Sequence, residues 1–218
     1  YLGSGRPAEA EAVISKAAEV NPKSVQAQLN LAEFYLTQGI MAKAETVARA
    51  AVSLDNRSTA AQLMLGRVYS LTGRTAEAEK VFTALKAAAP DDSQAYLALG
   101  EFYASTAQKE KAVAEFGSLL KSKPGNTVVK RRLVEALEEL GQIDEAMALN
   151  QELLKTIPED AVVVRLNGRL LMAKRRYQDA MTAFQKSVQL EPGSASAHYL
   201  LGMAQNAQGL SSSARASF

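Results

Sequence analysis

The feature that most constrains this chain is a refrain that returns every 34 residues without an insertion or deletion. Ala10, Ala44, Ala78, Ala112, Ala146, Ala180 and Ala214 hold one phase of it. Ala32, Gly66, Gly100, Val134, Gly168 and Gly202 hold a second. Pro22, Pro90, Pro124, Pro158 and Pro192 hold a third, with Asn56 filling the gap. A fixed period of this length means that one supersecondary unit is stacked repeatedly, each copy burying its apolar face on the next.

Each unit reads as two amphipathic helices. In "TAAQLMLGRVYSLTG" the apolar residues Leu63, Leu65, Val68, Tyr69 and Leu71 fall close to helical spacing, and "AEAEKVFTALKAAAP" repeats this with Ala78, Val81, Phe82 and Leu85. The residue opening each first helix is Ser24, Ser58, Asp92, Asn126, Asp160 or Ser194. All are strong N-caps, because a short side-chain oxygen can accept the unpaired N–H groups of the first turn. Between the two helices stands Gly5, Gly39, Gly73, Gly141 or Gly209, suited to the left-handed turn that ends a helix. Ala107 and Arg175 replace it in two units, so those turns must close on a residue that carries a Cβ. The small residues at Gly66 and Ala78 predict a close helix crossing, which a bulkier side chain would overpack by about 1–3 kcal/mol. Val134 is the bulky exception, and the fifth unit's helices are expected to splay around it.

The composition narrows the chemistry. Hydrophobic residues make up 47% of the chain, with no Trp and only 6 Pro, which is a helix-forming alphabet. Lys and Arg total 25 against 23 Asp and Glu, and this near balance argues against a nucleic-acid partner. No apolar run approaches the roughly 18 residues of a membrane span. With no Cys and one His, thiolate sites and the usual transition-metal ligand sets are ruled out. His198 lies among small and apolar residues and reads as a packing residue. No Gly-x-Ser-x-Gly elbow supports it as a catalytic base, and "GSGRPA" lacks the Gly-Lys-Ser/Thr ending of a phosphate loop. No catalytic, cofactor-binding or metal-ligating residue is therefore expected, and no cofactor.

The unit resembles the tetratricopeptide repeat. The resemblance rests on Leu65, Gly66, Tyr69, Gly73, Ala78, Phe82 and Pro90 in the third unit, and on Leu99, Gly100, Tyr103, Ala112, Phe116 and Pro124 in the fourth. It covers the whole chain and implies an all-α, right-handed superhelical α-solenoid of antiparallel helix pairs. The array spans 1–218 as full repeats at 25–58, 59–92, 93–126, 127–160 and 161–194, with half-repeats at 1–24 and 195–218. Asn150 stands where Phe82 and Phe116 stand in their units, and Asn167 where Leu65 does, so the fifth and sixth repeats are the most degenerate. Both ends are cut in mid-repeat with no polar capping helix. The chain is thus expected to be a segment of a longer array, with ends that invite self-association.

The resemblance further implies a non-catalytic scaffold for protein–protein interaction, whose first helices line a groove for a peptide or helix of a partner. Carried over by phase, Leu29, Leu63 and Leu97 form an apolar column that continues as Arg131, Arg165 and Tyr199. A neighbouring column reads Glu33, Arg67, Glu101, Glu135 and Arg169, with Glu138 beside it. Stacked helices about 8–10 Å apart would let that column pair across repeats. Arg131 and Arg165 are expected to fork onto a partner carboxylate. The stretch "VKRRLVEALEEL" falls here as a first helix capped by Asn126, with Leu133, Val134, Leu137 and Leu140 in the core and Arg131 pairing with Glu135.

The chaperone-clamp pattern of some family members is not matched, because Leu29 and Glu33 stand where it wants Lys and Asn. RNA is disfavoured by the acidic residues of the groove. A second reading makes the array the regulatory or substrate-presenting arm of a larger enzyme, or of an envelope or exopolysaccharide export system. The repeats are similar in style to bacterial arrays, which leaves cytoplasmic and envelope-associated locations both open.

Overall fold

Residues 7–210 are described in the computed structural model, and twelve α-helices follow one another there with no strand among the described residues. They are α1 (Pro7–Val20), α2 (Val25–Thr37), α3 (Met41–Leu54), α4 (Thr59–Leu71), α5 (Thr75–Ala88) and α6 (Ser93–Ser105), then α7 (Lys109–Ser122), α8 (Thr127–Leu140), α9 (Ile143–Thr156), α10 (Ala161–Ala173), α11 (Tyr177–Leu190) and α12 (Ala195–Ala207). The chain divides into two compact units, Tyr1–Gln108 and Lys109–Phe218. Within the first, each helix packs on the next, and α4 also touches α2 and α6. The second repeats the scheme, with α10 touching both α8 and α12. This is the all-α helix-pair solenoid that the periodicity demands. Gly5 and Ala214 lie outside the described residues.

The caps form as the sequence dictates, with one exception. Ser24 and Ser58 accept through Oγ from the backbone N–H of Ala27 and Ala61, at 3.2 and 3.3 Å. Asp92 accepts from Gln94 at 2.9 Å. Asn126 and Asp160 each accept twice, from Val128 and Val129 and from Val162 and Val163. Ser194 makes no such bond, and its hydroxyl instead takes a 3.5 Å contact from Arg165 Nη1.

The turns between paired helices share one closure. Gly141 has φ 85°; its N–H donates to Glu138 O at 3.0 Å, and the next N–H, from Gln142, donates to Leu137 O at 2.9 Å. Ala107 and Arg175 make the same two bonds in their turns, each with φ 57°. These two residues thus occupy a left-handed conformation that costs a Cβ-bearing residue about 1–2 kcal/mol. The hydrogen bonds hold them in it.

Every described position of the alanine phase is buried. The glycine phase has a more specific cause. A Cβ built on Gly66 would stand 2.5 Å from the Phe82 ring, and one on Gly168 would stand 2.4 Å from the Phe184 ring. In these repeats the ring of the second helix lies directly on the backbone of the first. The fifth repeat solves the same contact differently. Val134 is fully buried, and the place equivalent to Phe82 and Phe184 holds Asn150, also fully buried. Volume added on α8 is removed from α9, so no splaying is needed to accommodate Val134. Asn150 then spends its amide on the Val163 carbonyl at 3.3 Å, which ties α9 to α10.

Candidate functional site on the first-helix face

In the first unit, α2, α4 and α6 present the face on which the groove residues were expected. Glu33 and Arg67 occur there as an exposed ion pair, with Arg67 Nη1 2.7 Å from Glu33 Oε2. The expected apolar column does not surface as a stripe. Leu29 is only 7% exposed and packs into a cluster with Ala51 and Ala61, flanked by Val25, Val52 and Met64; Leu97 is only 8% exposed. Both are core residues, because the neighbouring helices close over them. Leu63, between them in the column, is half-buried and reaches the surface.

Leu63 does so at the wall of a cavity of about 380 Å³. Its floor is Phe82 and Phe102, whose ring centroids lie 5.4 Å apart, and Leu71 and Ala98 complete its apolar lining. Arg67, Ser70, Glu101 and Ser105 form the polar rim. Three of the expected groove residues, Leu63, Arg67 and Glu101, are therefore brought together at one site. Leu71, Phe82 and Phe102 complete it. Leu71 is 55% exposed, more than an apolar core position in a helix would be. The repeat pattern marks the two rings only as core, which is why they escape a reading of the sequence as site residues.

In the second unit the charged residues of α8 and α10 are engaged within the fold. Arg131 Nη1 stands 3.9 Å from Oδ2 of Asp160, the residue that caps α10. Arg165, one repeat later, approaches Glu191 Oε2 at 3.6 Å and the hydroxyl of Ser194, which precedes α12. The two arginines are thus equivalent clips onto the start of the following first helix. The expected pairing of Arg131 with Glu135 is corrected: Arg132 Nη1 donates to Glu135 Oε2 at 3.0 Å. Arg169 takes Glu138 rather than Glu135, with Nε donating to Oε1 at 2.9 Å and Nη2 standing 2.9 Å from Oε2. Burial pushes the Glu138 carboxyl above its ordinary value; Arg169 opposes this, and Glu135 and Glu139 add to it. Tyr199, on α12, is 56% exposed. His198 is half-buried, and its Nε2 lies 3.0 Å from the Pro192 carbonyl, which fixes a proton on that nitrogen. Among the described residues no group of three or more His, Asp or Glu side chains is gathered as a metal site would require.

Comparison with known proteins decides the family. Two family models of the tetratricopeptide repeat match, one over residues 1–61 and 165–218 and the other over 41–102 and 108–170. The chain belongs to the tetratricopeptide-repeat family. No curated protein matches it. Solved structures, some of them described as tetratricopeptide-repeat proteins, are similar in fold. One from Parabacteroides merdae ATCC 43184 has 19% identity and a TM-score of 0.68, over 93% of this chain and 79% of that one. MamA of Desulfovibrio magneticus RS-1 has 22% identity and a TM-score of 0.59, over 72% and 91%. YrrB, described as a tetratricopeptide-repeat protein with an unusual peptide-binding site, has 20% identity and a TM-score of 0.55, over 88% and 97%. Members of this family are in general scaffolds for protein interaction. No helix among the described residues of this tetratricopeptide-repeat protein is long and apolar enough to cross a membrane.

Proposed function

We propose that this protein is a non-catalytic scaffold that binds an amphipathic segment of a partner protein across α4 and α6. The observation that carries the reading is the cavity at Leu63, Leu71, Phe82 and Phe102. It is apolar at the floor, open to solvent, and large enough for one or two anchor side chains of a partner. Arg67 and Glu101 at its rim supply opposite charges, which would fix the direction in which a segment lies. An amphipathic helix or strand seats its apolar side chains in such a pocket and leaves its polar ones to the rim. The peptide-binding site named for YrrB is in keeping with this use of the fold. Arg131, Arg165, Glu138 and Arg169 serve the frame of the second unit, and Tyr199 extends the available surface there.

The test is selection from a phage-displayed random peptide library on the immobilised protein, followed by titration of the enriched peptides. Leu71→Glu places a charge at the cavity mouth on a side chain already exposed, so circular dichroism should be unchanged. Binding of the enriched peptides should fall at least about tenfold, the equivalent of one lost anchor contact. Failure of any sequence family to enrich, or equal binding to both proteins, overturns the reading.

A further inference from the structure

A second cavity, of about 520 Å³, lies in the second unit between α9 and α11, with α10 beneath it. Its origin is visible in the equivalent places of the first unit. There each repeat carries a tyrosine on its first helix, set against a glutamate of the preceding second helix or against the arginine which that glutamate holds. Tyr103 Oη donates to Glu79 Oε1 at 2.7 Å. Tyr69 lies under the guanidinium of Arg74, 4.4 Å from the ring centroid, and Arg74 is also held by Glu45 at 2.7 Å. Glu11 is held below the usual carboxylate range first by Lys43 and also by the Tyr35 phenol. In the sixth repeat the tyrosine is Leu171, the glutamate is Met147, and the leucine equivalent to Leu65 is Asn167. All three line the cavity. The slot remains, but the ring that fills it in the first unit is missing.

The rest of the slot keeps the character of an aromatic seat. Arg176 stands where Arg74 stands and is braced in the same way: its Nε donates to Asp179 at 2.7 Å, as Arg74 Nε donates to Glu77 at 2.8 Å. A braced guanidinium over an apolar slot is the arrangement that stacks on a ring face. The side chain of Asn167 makes no hydrogen bond among the described residues, so its amide is available at the floor. Lys186, at the rim, has no ion pair among them. We propose that this cavity receives an aromatic side chain, tyrosine or phenylalanine, from a partner protein segment that carries a carboxylate beside the ring. The ring replaces the one this repeat lacks, between Arg176 and the apolar wall of Met147 and Leu171, and the carboxylate meets Lys186. This site is distinct from the one on α4 and α6 and stands or falls independently of it.

The probes are p-cresol, 4-methylcyclohexanol and 4-hydroxyphenylacetate, read through the methyl resonances of [13C-methyl]methionine-labelled protein. Added p-cresol should shift Met147 saturably, by ring current, and leave Met41 and Met64 in place. The saturated analogue should bind at least about tenfold more weakly, since it forfeits the ring–cation contact. 4-Hydroxyphenylacetate should bind more tightly than p-cresol, and Lys186→Gln should abolish that advantage. Leu171→Tyr restores the internal ring and should remove the Met147 response while preserving the melting transition. Thr182→Trp, at an exposed rim position, gives the same readout if Leu171→Tyr does not fold. Equal shifts of all the methionines, equal binding of the saturated analogue, or an unchanged response in the filled variant overturns the proposal. Loss of the Lys186 effect alone overturns the carboxylate neighbour.

Discussion

Tyr103 Oη donates a hydrogen bond to Glu79 Oε1 across 2.7 Å, from the first helix of one repeat to the second helix of the repeat before it. Both side chains are shielded by neighbouring helices, so the bond is a strut between successive repeats rather than a surface contact. Tyr103→Phe keeps the ring and removes only the hydroxyl. Urea unfolding should show a loss of about 0.5–1.5 kcal/mol, the worth of one intramolecular hydrogen bond. Glu79→Gln in the same background should then cost less than it does alone.

The contact between Gly168 and Phe184 sets a stricter demand. Phe184 is fully buried and its ring cannot retreat from a new Cβ at 2.4 Å. Gly168→Ala should therefore destabilise by about 1–3 kcal/mol, more than alanine's helix propensity returns. Gly117→Ala is the opposite case, because nothing lies within 4 Å of its added Cβ. It should stabilise α7 by about 0.5–1 kcal/mol. Thermal melting of the two variants checks both signs.

Arg175 closes a helix turn with φ 57°, where its equivalents in four other repeats are glycine at φ between 71° and 85°. Arg175→Gly relieves the left-handed strain but frees the unfolded chain. The balance is expected to be a gain of about 0.5–1 kcal/mol, read as a higher urea midpoint at unchanged slope.

Glu138 carries a pH dependence opposite to that of Glu11, Glu45, Glu77, Asp92 and Glu152, which are all held below their ordinary values. Burial raises its folded-state value above the usual 4.5, so the folded chain holds that proton more tightly than the unfolded one. Its contribution is fully present below 4.5 and is lost as pH rises through the raised value. Glu45 behaves the other way: Arg74 first, and then Arg49, hold it below 4.5, and its contribution is lost as pH falls through the lowered value. Glu138→Gln should accordingly gain stability relative to the parent as pH rises from 4.5 toward neutrality. Denaturant unfolding across that range tests this, and a flat difference contradicts it.

The repeat, its caps and the small-residue phases were legible because each is a local demand on one residue type. Asn126 caps its helix because its short side-chain oxygen reaches the N–H groups of both Val128 and Val129. The groove was legible only in part. Leu29 and Leu63 share a phase, yet one is covered by Val52, Ala61 and Met64 while the other borders a cavity. That difference lies in the neighbours' side-chain sizes. The partners of Arg131 and Arg169 are hidden from the sequence for another reason. Several carboxylates lie within reach of each long side chain, and such partially exposed pairs differ by only about 0–1 kcal/mol. Sequence spacing cannot rank alternatives so close.

Val134 and Asn150 look like two unrelated defects along the chain, but they are one solution to the contact that Gly66 and Phe82 make elsewhere. The consequence concerns how such a chain can be rearranged by duplication or recombination. A crossover placed between repeats carries both members of the contact and leaves it intact. A crossover inside a repeat would set valine against phenylalanine, or glycine against asparagine, giving a collision in one product and a void in the other. For this contact the heritable module is the helix pair, and exchange is poorly tolerated at the turn that joins its two helices.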